Sequence, residues 1–386
     1  SKRVCAYPSE QHLLMALVTY KVEYGATYAT CTTVATNVVS VNANIGRRRQ
    51  LDQYNANTAS VVLRYPTGYS SPNSSWISGT WVRISVSLAG SGVNRQVFTG
   101  RIADVSVEYG IPYQGGVGNA DYVTLSLESN FAGWGRMQGN SFAMTANNFG
   151  TQMNIASSQT GLVGAANSQY GYFTSFPATT ISGSWGDWIN RCVLTMNGRI
   201  IDDGDSINPV NQYYKGTAVY GNFTGATNDA ANHPFEQIQF SSYADNYYTQ
   251  VNVVPESYTK QTVQTGAIPY RTYEVNTLNN STGQALDYAN YLLSTYKDPT
   301  LRIDSVTCNL NAQVGDVPGY GAGYVGTAVT VLFRGTTYNC IIEGSTWSGT
   351  PDHASVTFHF SSQDLNNYLL LNNTTYGRLD FNKLGY

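Results

Sequence analysis

"NANIGRRRQLDQYNANTASVVLRY", residues 42–65, sets three consecutive arginines, Arg47, Arg48 and Arg49, ahead of a run that carries Val61 and Leu63 at alternate positions. Successive side chains of a strand point to opposite faces, so apolar residues two apart mark one buried face. The same period runs through Val18, Tyr20, Val22 and Tyr24, set against Thr19, Lys21 and Glu23. It returns at Val82, Ile84, Val86 and Leu88, at Val105 and Val107, and at Val123, Leu125 and Leu127. Turn-forming "LAGSGVN" and "YQGGVGN" separate these runs. Residues 1–130 are therefore expected to form an antiparallel β-domain, a barrel or a sandwich, with the arginines in one of its turns.

The rest of the chain changes texture twice. "FAGWGRMQGNSFAMTANNFGTQMN", residues 131–154, shows no clean period. Ser184 and Asp187 have the spacing of a helix start, and Trp185, Trp188, Ile189 and Cys192 follow at helical intervals. That helix is expected to feed a hairpin in "VLTMNGRII", turned at Asn197-Gly198, because a type I′ turn needs positive φ at both central positions. Residues 205–235 read as loop, and strands resume at "FEQIQF" and "YYTQVNVV". In "STGQALDYANYLLSTYKDP" Ser281 is a cap, Gln284 its capping-box partner, Leu286, Ala289, Leu293 and Tyr296 an apolar stripe, and Pro299 the stop. "LRIDSVTCNL", "GTAVTVLFRG", "TYNCIIEG" and "SVTFHF" then read as a second antiparallel β-domain. The expected fold is mainly β with an α+β middle: two antiparallel β-barrel-like domains, 1–130 and 298–386, bracket mixed regions at 131–204 and 205–297.

Composition narrows the function. Charged residues are 12% of the 386, against roughly 25% in an ordinary domain, while 30 Tyr and 37 Gly are present. Such a surface suits broad contact with other proteins. A net charge of −3 argues against a global grip on DNA, which needs clustered Lys and Arg. No window reaches the roughly 18 to 20 apolar residues of a membrane span, and "SKRVCAYPSEQH" lacks the order of a signal peptide. The five cysteines, Cys5, Cys31, Cys192, Cys308 and Cys340, show no zinc spacing and are expected as buried thiols, a Cys308–Cys340 disulfide being the lesser alternative.

Candidate chemistry is sparse. Asp352, His353 and His359 have little of the spacing of a metal site, and no metal or cofactor is expected. The glycine run in "PGYGAGY" precedes a strand, so it reads as a turn. Asp202, Asp203 and Asp205 in "IDDGDSI" are the one acidic cluster a hydrolase could use, against the simpler account of an exposed loop. Three adjacent arginine side chains splay apart, so an ion pair between Arg47, Arg48 or Arg49 and nearby Asp52 is preferred over a nucleic-acid contact.

The pattern "VVSVNANIGRRRQLDQYNANTASVVLRYP", continued by "GTWVRISVSL", "VFTGRIADVSVEY" and "DYVTLSLES", resembles the N-terminal part of minor tail proteins of long-tailed actinobacterial phages. "ALDYANYLLSTYKDPTLRIDSVTCNL", "VTVLFRGTTYNCIIEGSTWSGTPDHASVTFHFSSQD" and "YGRLDFNKLGY" resemble the C-terminal part of the same family, which is similar to the central baseplate-hub proteins of phage tails. The resemblance implies a non-enzymatic virion component at the tail tip, assembled in the host cytoplasm. It implies a homotrimer whose two β-domains per subunit make a pseudo-sixfold ring. The implied partners are the distal tail protein, the tape measure protein, other tail-tip or fibre proteins, and genomic DNA passing transiently through the lumen. An appended cell-wall hydrolase is not expected. The alternative is a carbohydrate-binding host-recognition module, motivated by "NQYYKGTAVYGNF" and "ISGSWGDW".

Overall fold

The computed structural model describes residues 18–66, 69, 75–88, 91, 93–110, 120–164, 175–211, 216–225, 232–242, 247–298, 301–313, 317–318, 325–350 and 353–362. The N-terminal half holds β1 (Thr19–Gly25), β2 (Thr33–Val34), β3 (Val38–Gly46), β4 (Thr58–Tyr65), β5 (Trp81–Ser87), β6 (Arg95–Glu108) and β7 (Asp121–Glu128). They pair antiparallel in the order β3-β4-β7-β6-β5-β1-β2. The alternating residues of the sequence are the inward ones, Val61, Leu63, Val82, Ile84, Val123 and Leu125 being fully buried. The stretch 33–46 nearly rings this half, pairing first with β1 and then with β4. The ladder breaks at a bend where Asn37 takes φ 65°, so the described residues hold no closed barrel.

The middle holds α1 (Phe131–Arg136), β8 (Phe142–Met144), β9 (Asn147–Asn148), α2 (Phe149–Thr160), β10 (Ser175–Phe176), β11 (Thr179–Ile181), α3 (Trp185–Thr195), β12 (Arg199–Asp203) and β13 (Ser206–Val210). Trp134, Phe149, Met153, Phe176, Trp188 and Ile189 form its core. Ser184 caps α3: its hydroxyl accepts the Asp187 N–H at 3.0 Å while Asp187 accepts the Ser184 N–H at 3.3 Å. Asn197-Gly198 does not turn a hairpin. Asn197 takes positive φ (49°) to end α3, with its N–H on Leu194 O and the Gly198 N–H on Val193 O, the paired bonds of a Schellman stop. The hairpin lies one strand later, β12 against β13, turned at Gly204 with φ 69°.

The described residues of 205–235 are mostly strand rather than loop. Besides β13 they include β14 (Gly216–Thr224) and β15 (Asn232–Pro234), and β16 (Gln237–Ser241) follows. β14 pairs parallel with β15, and Phe223 and His233 are fully buried. Tertiary pairing here overrides a polar, glycine-rich sequence of low strand propensity. β17 (Gln250–Pro255), β18 (Gln261–Gln264) and β19 (Thr272–Thr277) form a separate three-stranded sheet that carries α4 (Thr282–Tyr296). α4 buries Ala285, Tyr288, Ala289, Leu292, Leu293 and Tyr296, whereas the expected core residue Leu286 is 39% exposed. Its buried stripe starts one residue earlier, at Ala285. Ser281 accepts the Gln284 N–H as a cap, but the Gln284 side chain reaches the Asn280 N–H rather than that of Ser281. The helix ends at Tyr296, and Pro299 lies outside the described residues.

The last strands are β20 (Arg302–Asn309), β21 (Thr327–Phe333), β22 (Thr336–Gly349) and β23 (Ala354–Ser362). β22 decides the architecture. Its first part pairs with β21, which pairs parallel with β14, and its last part, Gly344–Gly349, pairs antiparallel with β3. The two expected β-domains are thus halves of one 14-stranded sheet, in which β16, β20 and β23 flank the other edge of β22. One core serves both halves, from Val41, Val61 and Leu125 to Val306, Trp347 and Phe358.

Candidate functional site

The β3–β22 seam brings the first arginine of the opening stretch against a carboxylate from the far end of the chain. β3 ends at Gly46, whose φ of +72° turns the chain so that the Arg47 N–H donates to Glu343 O at 3.0 Å. The Arg47 side chain donates from Nε to Glu343 Oε2 at 2.9 Å and from Nη2 to Gly198 O at 3.1 Å, and lies 4.6 Å from the centre of the Tyr54 ring. Glu343 Oε1 accepts from Arg199 Nη2 at 2.5 Å, from Arg199 Nε at 3.1 Å and from Ser361 Oγ at 2.6 Å. Arg47, Arg199 and Glu343 are all buried. Burial alone would raise the Glu343 carboxyl, but Arg199, Arg47 and the Ser361 hydroxyl outweigh it and hold it down to about 2. The carboxylate is therefore ionised at neutral pH. It fastens β3, β12 and β22, one element from each part of the fold.

Arg48 and Arg49 take a different place. With Asp52, Glu236, Asp304 and His359 they line an open cleft of about 970 Å³ beside β16 and β20. Arg47 meets Asp52 through its backbone, Nη1 donating to Asp52 O at 3.3 Å, while the Asp52 carboxylate accepts the Arg49 N–H at 3.0 Å and the Asp52 N–H returns to Arg49 O, which closes the turn. Burial and the nearby Arg48 hold the His359 imidazole below its ordinary value, with Asp304 opposing. The cleft mixes both charges, and beside it His359 Nε2 lies 3.5 Å from the Thr346 hydroxyl. What sequence reasoning missed is Glu343, Arg199 and Ser361. The available signal was Glu343 itself, an acid inside the apolar run "CIIEG".

The other candidates separate. Asp202 accepts the Ser129 hydroxyl and the Phe131 N–H at the start of α1. Asp205 is exposed, and the side chain of Asp203 lies outside the described residues. His353 is exposed, its N–H on Thr350 Oγ1, and Asp352 lies outside the described residues. Among the described residues no three His, Cys, Asp or Glu side chains gather as metal ligands. No helix among them is long and apolar enough to cross a membrane. Cys31, Cys192, Cys308 and Cys340 are buried free thiols, and Cys5 lies outside the described residues. Cys308 faces Val356 and Cys340 faces Ser362 in register, so the two do not meet. "PGYGAGY" falls mostly outside the described residues. Trp185 and Trp188 of "ISGSWGDW" are in the middle core, 3% and 2% exposed, which removes them as a stacking platform for sugars.

The outward side of the large sheet is the remaining surface of note. By register Thr307, Thr357, Thr346, Asn44 and Thr58 stand side by side across β20, β23, β22, β3 and β4. Thr307 and Thr357 share a hydroxyl hydrogen bond of 2.9 Å, and the Thr346 hydroxyl donates to Asn44 Oδ1 at 3.1 Å.

No protein-family model matches the chain, and no curated protein matches it. Solved structures do. The tail protein from Neisseria meningitidis MC58 is similar with a TM-score of 0.61 at 11% identity, over 90% of this chain and 97% of that one. The 43 kDa tail protein of prophage MuSo2 from Shewanella oneidensis is similar with a TM-score of 0.60 at 10% identity, over 89% of this chain and 98% of that one. Along most of its length the chain has the fold of these two tail proteins.

Proposed function

We propose that the chain is a structural, non-enzymatic component of a phage tail tip. Three copies form a hub ring that joins the sixfold tail tube and distal tail protein to a threefold tip and gates passage of the tape measure protein and DNA. The observation that carries this reading is the fold shared with two tail proteins over nearly their whole lengths. Its physical sense lies in the seam. A ring under load needs subunits that do not bend between their two β-halves, and the buried Arg47–Glu343–Arg199 cluster pins that junction. Low charge and abundant Tyr supply the broad faces that several neighbours require. The carbohydrate-binding alternative gains no support from Trp185 and Trp188, and the hydrolase reading gains none from Asp202.

Imaging of assembled particles together with light scattering of the purified chain tests the reading. A threefold ring on the tail axis is expected. A peripheral position, or a monomer that never enters such a ring, overturns it.

A further inference from the structure

The open cleft beside β16 and β20 holds charges that do not answer each other. Its basic side is the turn after β3, which presents Arg48 and Arg49. Its acidic side is Glu236, just ahead of β16, with Asp304 of β20. In the sheet β3 and β16 stand four strand steps apart, about 19 Å at the usual interstrand spacing, with β22, β23 and β20 between them. Both sides are held from below. The Arg47 side chain is buried against Glu343 at the base of the turn, and Asp52 closes it. Glu236 accepts from Asn309 Nδ2 at 2.7 Å, and its N–H donates to Thr307 O at 2.8 Å. Among the described residues the Arg48 guanidinium has no hydrogen bond or ion pair, and neither has the Asp304 carboxylate, although both line the same cleft. Both bear on the His359 imidazole of β23, which places the two charges over one floor.

The lining decides what fits. Among the described residues of the cleft Ile238 alone is apolar, so an apolar ligand finds no wall, and a sugar finds no Trp, Tyr or Phe face. Nucleic acid would meet Glu236 and Asp304 as well as the arginines, and like charge repels phosphate. The acidic groups and His359 do not gather as metal ligands. What remains is a polar chain that carries both signs of charge. An extended peptide offers an N–H and a C=O at each residue to the amides and hydroxyls of the floor, Gln239, Ser305, Thr307 and Thr357. Its own acidic and basic side chains would complement the two sides. A volume of about 970 Å³ holds several residues of such a chain. Because Arg48 and Asp304 are not paired within the protein, no internal ion pair has to break when a ligand arrives.

We propose that the cleft between the 47–52 turn and β16 docks an extended peptide segment of another protein, with an acidic side chain of that segment on Arg48 and a basic one on Glu236 and Asp304. The proposal does not rest on the hub reading, since it concerns a single chain in solution. The probe is acetyl-Glu-Gly-Ser-Gly-Lys-amide, titrated into the full chain at low salt and followed by NMR at the His359 ring and the Thr357 amide. Those signals are expected to shift, and binding to weaken as salt rises. Exchanging the peptide's Glu or its Lys for Gln should each weaken binding about three- to fivefold, the range of a partly exposed ion pair. Arg48→Gln should weaken binding of the parent peptide by the same factor and leave the peptide without Glu unchanged. Glu236→Gln with Asp304→Asn should do so for the Lys, leaving the peptide without Lys unchanged. Cleft signals that stay in place up to about 10 mM peptide overturn the proposal. Equal binding of the parent and both exchanged peptides overturns it as well, on wild-type protein alone and so whatever the substitutions do to folding. Variants that weaken all the peptides alike also overturn it, by showing a general effect on the fold in place of matched charges.

Discussion

Glu343 is a single carboxylate that serves two guanidinium groups and a hydroxyl, all out of water. Replacing it by glutamine leaves two buried cations without a counter-charge. The expected cost is about 3–5 kcal/mol, read as a lower urea midpoint. The same residue sets an acid limit. Because folding lowers its carboxyl from an ordinary 4.5 to about 2, it contributes stability that is complete above about pH 4.5 and drains away as pH falls towards 2. Urea titrations across that window should show a steeper acid loss for the wild type than for Glu343→Gln; parallel curves would refute the assignment. Only part of this was legible beforehand. "GRRRQ" advertises charge, but a run of three arginines does not say which one turns inward, and its partner lies 296 residues away. Pairing with Asp52, the nearest acid in sequence, is the choice a local reading makes, and the fold uses Asp52 for a turn instead.

At the scale of elements the balance is better, and it follows how local the cause is. β1, β4, β5 and β7 were legible because one buried face writes a period of two into the chain, and α3 because its cap is two side chains three residues apart. Ser184→Ala should therefore cost about 1 kcal/mol and loosen the first turn of α3, visible as faster amide exchange at Asp187. β14 was illegible because it pairs with β21, far along the chain, and β15 because it builds in turn on β14. Asn197-Gly198 was half legible: of the two positive φ angles expected only that of Asn197 is found, and its use as a helix stop depended on helical carbonyls that a hairpin lacks. The seam makes a sharper prediction. Gly46 has φ +72°, and a Cβ there would meet the backbone of Glu343 and Gly344, so Gly46→Ala should destabilise by about 1–3 kcal/mol in thermal unfolding. Gly335→Ala, whose Cβ would meet nothing within 4 Å at a similar φ of +80°, isolates the conformational part of that cost.

For the whole molecule, the continuous sheet makes the two β-halves one cooperative body, so wild type should unfold in a single calorimetric transition across both. Two resolved transitions assigned to the β-halves would contradict that. Two separate β-domains were a fair inference from two blocks of alternating sequence, since nothing in either block announces that β22 is long enough to reach β3 after β21 ends. That reach has a consequence in time. β3 is complete early in synthesis, yet the strand that covers its open edge arrives almost 300 residues later, the separation of Arg47 from Glu343. At ribosomal speeds of about 5–20 residues per second, that edge waits on the order of 15–60 s with its hydrogen-bonding groups unclaimed. Throughout that wait a nascent chain on one ribosome can pair with the same edge on its neighbour. Yield of this protein should therefore depend on translation rate and on chaperones that hold the early half apart, more than on the stability of the finished fold.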